Sequence, residues 1–304
     1  MKKFFIILFT SLFLIAIAMR SCSNDESYDE EEEFTTEETN SNKENLVDIS
    51  SGDEEETTKP DPLLSESNQN NNKYGGDSFE IPRLMSSKPE QILVREGYTT
   101  SYNKTTKNAN WVAWHLTREH TNGEWSRDGI PYYVDEEVNG ERQELEDWYS
   151  NTLPIDHGHM CPAGDCKWSK KAMHQSFLLT NMCPQNSKLN SGDWEELERR
   201  CRGWARHFGE IYITCGPIFY GSNYQTIGAN KVGVPDAFYK VVLCLSPKPM
   251  ALGFIYPNNG IHHNMDYYVT SVDNVEETTG IDFFYNVSEE IENLVESSYD
   301  IKKW

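Results

Sequence analysis

Positive charge is scarce in this chain of 304 residues, which carries 27 lysines and arginines against 49 aspartates and glutamates, for a net charge of −22. Such a balance argues against a domain that holds a polyanion through its overall charge. The deficit is uneven, because residues 23–73 contain 17 acidic residues and only three lysines. The segment 157–206 reverses the sign, with eight basic residues against five acidic ones. A local basic patch of this size is sufficient for binding phosphate without sequence preference.

Long apolar runs are also lacking, apart from one at the N-terminus. Two lysines precede the apolar stretch 4–18, which is shorter than a membrane-spanning helix requires. This pattern predicts an export signal over residues 1–22. The sequence Met19-Arg20-Ser21-Cys22 then resembles a bacterial lipobox with Cys22 as the lipidated residue, although Arg20 is unusual there. Ordinary signal-peptidase cleavage and an uncleaved anchor are the alternatives. We expect an exported outer-membrane lipoprotein at the cell surface or in the periplasm, or else a secreted protein.

No two cysteines have the Cys-x-x-Cys spacing that is typical of zinc sites, so the sequence gives little support for a zinc site. Besides Cys22, six cysteines remain, and an even number in an exported protein permits disulfides whose pairing the spacing cannot rank. Cys201 and Cys244 lie within apolar patterns, so buried thiols are the alternative for these two.

Apolar residues are few between residues 23 and 80, where acidic runs alternate with serine, threonine and asparagine. Such a segment cannot bury enough apolar surface to offset the entropy cost of ordering its backbone, so we predict an acidic disordered linker over 23–80. The folded domain is expected over 81–304.

Within that domain, apolar runs and periodic patterns alternate. They predict strands over 111–116, 177–180, 210–214, 238–245 and 252–256, and helices beginning at 169 and spanning 190–208, 271–279 and 288–298. The strand at 210–214 is expected to stop before Gly216-Pro217. Strands and helices mixed in this order predict an α+β fold with a central antiparallel sheet flanked by helices.

The helix predicted over 190–208 has one apolar stripe, formed by Trp194, Leu197, Cys201, Trp204 and Phe208. Asn190 or Ser191 is the expected N-cap, acidic residues fill the first turn, and arginines follow in later turns. Glu198 lies eight positions after Asn190, so two helical turns separate them by about 12 Å along the axis. Glu198 is therefore expected to reach the water shell of an ion at Asn190. One amide oxygen with several waters suits Mg²⁺, and Mn²⁺ is an alternative.

The run Asp156-His157-Gly158-His159-Met160 is the strongest candidate for chemistry. His159 follows Asp156 by three residues on a segment broken by Gly158 and ended by Pro162, a sequence that predicts a sharp, exposed turn. A neutral imidazole there could deprotonate water, and a cation nearby could stabilise charge on a phosphate. Asp156 is expected to orient a neighbouring group, with direct metal ligation as the alternative.

These blocks, taken in order, resemble the endonuclease G-like family of DNA/RNA non-specific endonucleases, which has the ββα-metal (His-Me finger) fold. The resemblance extends from about Gly97 to Val287 and includes Asn110-Trp111-Val112-Ala113, the Asp156 run, 181–185, Leu189-Asn190, Leu197-Glu198 and Phe238-Tyr239-Lys240-Val241. It implies metal-dependent hydrolysis of phosphodiester bonds in DNA and RNA, with 5′-phosphate products. Members of the family often form dimers, so a homodimer is an open alternative.

The resemblance also implies a role for each site residue. His159 matches the general base, and Asn190 matches the single direct metal ligand. Glu198 matches the acid that holds metal-bound water, and Asn181 matches an asparagine that supports the base or the phosphate. Arg202 falls where the family has a basic residue near the phosphate.

One departure from the family pattern is His157, which stands where the family's motif has arginine. Arginine is a permanent cation, whereas histidine carries charge only when protonated. We therefore predict lower activity, or an acid-shifted optimum, relative to the His157→Arg variant. Lys167, Lys170 or Arg202 could supply the missing charge instead, and tolerated drift at position 157 is the other alternative.

Two further alternatives remain for the function of the protein: an envelope-anchored lipoprotein that binds nucleic acid with weak or no turnover, and a phosphodiesterase acting on small substrates.

Overall fold

The computed structural model of the protein describes residues 78–149 and 152–304. The export signal, the lipobox and most of the predicted linker lie outside the described residues. The first described residues already pack against the domain, since the ring of Phe79 meets that of Tyr212 edge-on with centroids 5.2 Å apart. The hydroxyl of Thr214 also donates a hydrogen bond to the carbonyl of Glu80. Packed structure therefore includes residues 78–80, just before the expected start at residue 81.

Eleven strands are present in the described residues, seven of them in one sheet. In chain order they are β1 (Gln91–Val94), β2 (Thr99–Asn103), β3 (Asn108–Thr117), β4 (Ile155–His159), β5 (Met182–Asn186), β6 (Glu210–Ile218), β7 (Thr226–Ile227), β8 (Val232–Gly233), β9 (Ala237–Cys244), β10 (Met250–Pro257) and β11 (Val269–Thr270). The main sheet has the order β1-β2-β3-β6-β9-β10-β11, and β4 pairs with β5 in a separate ribbon. Every neighbouring pair in the main sheet is antiparallel, which confirms the predicted central antiparallel sheet.

The helices of the described residues are α1 (Leu145–Tyr149), α2 (Lys170–Gln175), α3 (Ser187–Asn190), α4 (Asp193–Phe208), α5 (Val272–Thr279) and α6 (Glu289–Glu296). Helix α4 covers one face of the main sheet, while α5 and α6 cover the other. No helix in the described part of the chain combines the length and apolar character that crossing a membrane would require.

Both faces of the central strands are buried, as the apolar run in β3 illustrates. Val112 and Trp114 belong to the core beneath α4, whereas Trp111 and Ala113 belong to the core beneath α5 and α6. Successive side chains of a strand point to opposite faces, so a strand covered on both sides is apolar at every position. This double burial places β3 in the core, where it also contacts strand β5 of the ribbon.

Two predicted strands differ from the observed elements. Residues 177–180 form no strand: a 3₁₀ turn spans Leu179–Asn181, and Leu178 makes only an isolated bridge to Tyr133. The apolar run there reflects burial under the ribbon, which periodicity cannot distinguish from strand pairing. The strand predicted over 210–214 continues through Gly216 and Pro217 to Ile218, because it pairs with β9 along its length.

All six cysteines after Cys22 are buried free thiols in the structure, so it contains no disulfide among the described residues. Cys201 and Cys244 are buried thiols, as their apolar patterns suggested.

Candidate active site

The ribbon of β4 and β5 carries the candidate base at its end. His159 is the last residue of β4 and pairs with Met182 of β5. The sharp turn predicted around His159 is therefore wrong, because antiparallel pairing with β5 keeps the segment extended through Gly158. The segment turns only beyond His159, where a 3₁₀ turn begins after Pro162.

Asn181 fastens the chain immediately after the base. This side chain is fully buried, its Oδ1 accepts from the Cys161 amide at 2.9 Å, and its Nδ2 donates to the carbonyls of Cys161 at 2.8 Å and Ser176 at 2.9 Å. Its backbone carbonyl accepts from the Met160 amide at 3.0 Å. Of the two expected roles, supporting the base fits this geometry and contacting the phosphate does not.

The imidazole of His159 lies in a mostly aromatic environment. Its ring meets Phe177 edge-on with centroids 5.1 Å apart, and Tyr132 lies 6.0 Å away. Its Nε2 is buried and has no hydrogen-bond partner among the described residues. Burial, then the charge of Arg127 and the neighbouring His157, lower the pKa of His159 to about 3. The ring is therefore neutral at neutral pH, with a nitrogen free to accept a proton.

Among the charged groups around His159, Arg127 has the largest electrostatic effect on the pKa of this histidine. Its guanidinium lies 5.7 Å from the ring centroid of Phe177, and its positive charge opposes the rise that burial causes in the pKa of Tyr132. Spacing along the sequence does not establish that Arg127 lies near this base. The structure brings its charge to His159, so it is a better candidate for the missing motif cation than Lys167 or Lys170.

His157 is enclosed between two aromatic rings. It stacks on Tyr132 with centroids 4.0 Å apart and on Trp148 with centroids 3.9 Å apart. Burial lowers the pKa of His157 to about 4, against the opposing effect of Asp156. The ring is therefore uncharged above about pH 5 and supplies no cation to the site at neutral pH.

Asn190 is held by the first residue of the same motif. Its Nδ2 donates to Oδ2 of Asp156 at 3.2 Å, while the Ser187 hydroxyl donates to Oδ1 of Asp156 at 2.7 Å. Asp156 thus orients a neighbour, as expected. The bond occupies the amide nitrogen of Asn190 and leaves its amide oxygen for another partner, with the atom assignment fixed by this network.

The single helix predicted over 190–208 is broken in two, so the prediction of an N-cap at Asn190 or Ser191 is wrong. Asn190 ends α3, and α4 begins at Asp193 after Gly192. A Cβ on Gly192 would lie 2.5 Å from the carbonyl oxygen of Lys188, so the break requires glycine. Asn190 and Glu198 therefore lie on different helices, and the predicted separation by two turns of one helix is wrong.

Glu198 lies on α4, within a group of buried charges. Burial raises its pKa to about 7, although the positive charges of Lys240 and Arg202 oppose that rise. Arg202 itself pairs with Oδ1 of Asp165 at 3.0 Å, and the indole of Trp114 donates to Oδ2 of Asp165 at 3.0 Å. The structure thus places Arg202 in a partly buried ion pair, which limits its freedom to reach a phosphate.

Lys240 was identified from the sequence only as part of a motif, without a role in the site. It is fully buried, its Nζ has no hydrogen-bond partner in the described part of the chain, and it lies 4.5 Å from the ring of Trp194 and 5.2 Å from that of Trp114. A lone lysine within the apolar strand at 238–245 was the available signal. Its charge lowers the pKa of Glu198 and so helps to keep that carboxylate ionised.

The two parts of the site meet through Trp194. Its indole donates to the carbonyl of His159 at 3.4 Å, and Glu198 follows it by one turn of α4. A two-stranded ribbon followed by a helix, with a histidine on the first strand and an asparagine after the second, is the ββα-metal nuclease arrangement.

Comparison with known proteins agrees with this arrangement. The profile of the family described as "DNA/RNA non-specific endonuclease" matches residues 75–290, and the chain belongs to that family. The chain is 31% identical over 202 residues to the mitochondrial nuclease EXOG of Xenopus laevis. That alignment covers 62% of this chain and 56% of the Xenopus protein. It is 34% identical over 210 residues to nuclease C1 of Cunninghamella echinulata var. echinulata, and the alignment covers 64% of this chain and 82% of nuclease C1.

Among solved structures, the crystal structure of the EndoG/EndoGI complex contains a similar chain. The TM-score is 0.64 at 26% identity, and the match covers 69% of this chain and 90% of the other. The match therefore extends over most of the folded part of this chain and supports the ββα-metal assignment of the fold.

Proposed function

We propose that this protein is a metal-dependent, sugar-non-specific endonuclease that hydrolyses phosphodiester bonds of DNA and RNA to leave 5′-phosphate ends. The observation that carries the proposal is His159, a neutral, half-buried imidazole at the end of the ribbon, whose Nε2 has no hydrogen-bond partner among the described residues. An unpaired nitrogen held in one orientation is the arrangement that general-base catalysis needs.

The donor set at Asn190 fits a hard divalent cation. Asp156 holds the amide nitrogen, so the oxygen is the donor atom that remains, and carboxamide oxygens suit Mg²⁺ or Mn²⁺. A single protein oxygen also matches the tendency of Mg²⁺ to keep several waters. When bound, Mg²⁺ would place positive charge beside the phosphate and the leaving 3′ oxygen.

In the proposed reaction, His159 takes a proton from the attacking water as the water oxygen bonds to phosphorus and the bond to the 3′ oxygen breaks. The departing 3′ oxygen takes a proton from solvent water and becomes a hydroxyl group. Asn181 keeps the backbone beside His159 in place, so that Nε2 stays directed at that water. Glu198 in its ionised form accepts hydrogen bonds from ordered water, while Lys240 and Arg202 favour that ionised form. Arg127 supplies a permanent positive charge near the reacting phosphate.

A polymeric substrate is favoured by the surface of α4. Arg199, Arg200 and Arg206 are exposed there and follow the acidic first turn, giving a basic end to the helix. Such a surface binds phosphates along a backbone and predicts recognition with little sequence preference.

The test is digestion by the full-length chain of supercoiled plasmid, single-stranded RNA and bis(p-nitrophenyl) phosphate, with Mg²⁺ and with EDTA. We expect both polymers to be cut only with Mg²⁺, at rates that fall steeply with added salt. The fragments should require phosphatase treatment before their 5′ ends can be kinase-labelled. The Asn190→Ala variant should lose activity, whereas Asn293→Ala, which alters an exposed asparagine on α6, should retain it.

A second candidate is a nucleic-acid-binding protein with weak or no turnover, which the uncharged, stacked His157 favours. Retardation of DNA in a gel without cleavage under any condition would select that candidate. Hydrolysis of the small diester alone would instead select a small-substrate phosphodiesterase.

We further propose that the protein is exported and that Cys22 carries a lipid. Mass spectrometry of the protein isolated from its native envelope would test this proposal.

A further inference from the structure

Three carboxylates on the face of the sheet opposite α4 converge away from the candidate active site. Asp273 and Glu276 lie on α5, and Glu296 is the last residue of α6. One oxygen of each lies within 4.8 Å of the others, a spacing at which the three side chains could jointly hold a metal ion. Oxygens around one Ca²⁺ at about 2.4 Å are no more than about 4.8 Å apart, so the spacing suits a shared ion.

Glu296 provides an independent sign that the group needs a ligand. Only 6% of this residue is exposed, and its Oε1 has no hydrogen-bond partner among the described residues. A buried carboxylate oxygen without a donor is costly, because neither water nor protein replaces its hydration. The same side chain directs an oxygen into the group formed by Asp273 and Glu276.

The position of Glu296 on its helix adds to this cost. A helix C-terminus carries partial negative charge, which disfavours an acidic residue there. Helix α6 has acidic residues in its first turn and no basic residue in its last turn, so nothing on the helix itself offsets the charge of Glu296.

The surroundings of Glu296 offer little positive charge. The charged groups that act on it electrostatically are all carboxylates, those of Glu276, Glu292, Asp273 and Asp282. The nearby guanidinium of Arg83 is already paired with Asp282 at 2.7 Å. Helices α5 and α6 contain no lysine or arginine that could pair with Asp273, Glu276 or Glu296, so a cation from solvent would be the counterpart of this group.

The group is also preorganised and accessible. The Phe283 amide donates to Oε1 of Glu276 at 2.7 Å, which orients that carboxylate. Asp273 is exposed, so it offers an entry path from solvent to the buried Glu296. Carboxylate oxygens from two helices, completed by water, are the donors that Ca²⁺ takes in flexible sites.

We propose that Asp273, Glu276 and Glu296 form a Ca²⁺ site, separate from Asn190, that fastens α6 to α5. The ion would stabilise the fold and take no part in hydrolysis, so the proposal is independent of the proposed nuclease activity.

The test is thermal unfolding of the full-length chain after EDTA treatment and buffer exchange, with and without Ca²⁺. At about a 100-fold excess over the dissociation constant, a single site should raise the Tm by on the order of 5 °C. The rise should persist in Asn190→Ala, which removes the proposed catalytic metal ligand. It should disappear in Glu296→Gln and persist in Glu290→Gln, a matched change at an exposed position of the same helix.

If Glu296→Gln fails to fold, the exposed Asp273→Asn carries the test, with Glu277→Gln as its control on the same helix. Calorimetric titration with Ca²⁺ should find one binding event in Asn190→Ala and none in Asn190→Ala/Asp273→Asn. No effect of Ca²⁺ on the wild-type Tm would overturn the proposal. A rise that survives Glu296→Gln and Asp273→Asn, or one that Asn190→Ala abolishes, would overturn it as well, since the ion would then bind elsewhere.

Discussion

The ring of His157 lies parallel to the indole of Trp148, with centroids 3.9 Å apart and 17° between their planes. This stacking, with Tyr132 on the other face, keeps the imidazole out of water and its pKa near 4. Position 157 therefore contributes a flat neutral ring where the family's motif contributes a cation.

The first prediction concerns that missing charge. Replacing His157 by arginine should raise kcat/KM for DNA at neutral pH by about 10-fold, because a guanidinium can stack between the same rings and adds a permanent charge. The measurement is a kinetic comparison with His157→Gln, which changes the side chain without adding charge and should show no gain. Because His157 is neutral above about pH 5, its protonation cannot shift the optimum between pH 5 and 8. Equal rates for wild type and His157→Arg would mean that Arg127 already supplies the charge.

Asp156 should control the metal requirement. Its carboxylate positions the Asn190 amide, and groups that orient a metal ligand typically account for about 10- to 100-fold in affinity. Asp156→Asn should raise the Mg²⁺ concentration for half-maximal activity by about that factor, with a smaller loss at saturating Mg²⁺. Ser187→Ala, which removes only the other bond to Asp156, should have a lesser effect. An unchanged Mg²⁺ dependence would show that Asn190 needs no such support.

Glu198 should set the acid limb of the pH profile. Its pKa is raised to about 7, so the ionised fraction, and with it the rate, should increase as pH rises through 7 and then level off. His159, with a pKa of about 3, is already in its neutral form over this range.

Lys240→Met removes a positive charge that lowers the pKa of Glu198, so the acid limb should move to higher pH. Lys248→Met, a matched change at an exposed position, should leave the profile where it is. A profile that stays in place in Lys240→Met would mean that another group titrates.

Asn181 should affect both stability and turnover. Asn181→Ala leaves three buried backbone groups without partners, so the free energy of unfolding should fall by about 3 kcal/mol or more. Its kcat should fall with little change in KM, because His159 loses its fixed position while the substrate surface stays intact.

The control for Asn181→Ala is Asn286→Ala, which removes one partly buried hydrogen bond, to the carbonyl of Ser78. It should destabilise less and leave kcat unchanged in the folded protein. Equal effects of the two changes on kcat would reduce Asn181 to a general stabilising residue.

Much of the architecture could be predicted from the sequence, because doubly buried strands such as β3 and well-capped helices such as α5 have strong local signals. Ser271 caps α5 through the Asn274 amide, and Gly280 closes it in a left-handed conformation. The break at Gly192 escaped prediction, since it depends on a close approach to the Lys188 carbonyl that no local pattern encodes.

The site could be predicted only in part. His159, Asn190 and Glu198 were identified through the order of motifs, but their environments arise from residues distant in sequence. The pairing of Asp156 with Asn190 spans 34 positions, and Lys240 approaches Glu198 from a strand on the sheet. Arg127 likewise acts on His159 only through folding. Such contacts depend on topology, which spacing alone does not determine.

The central claim is that His159 is the base of a metal-dependent nuclease, and its most direct test is the cleavage rate of His159→Ala on plasmid DNA with saturating Mg²⁺. The account predicts a loss of about 10²- to 10⁴-fold relative to wild type, with unchanged DNA binding and Tm. His174→Ala, which alters an exposed histidine on α2, should cleave normally. Cleavage by His159→Ala at the wild-type rate would contradict the account.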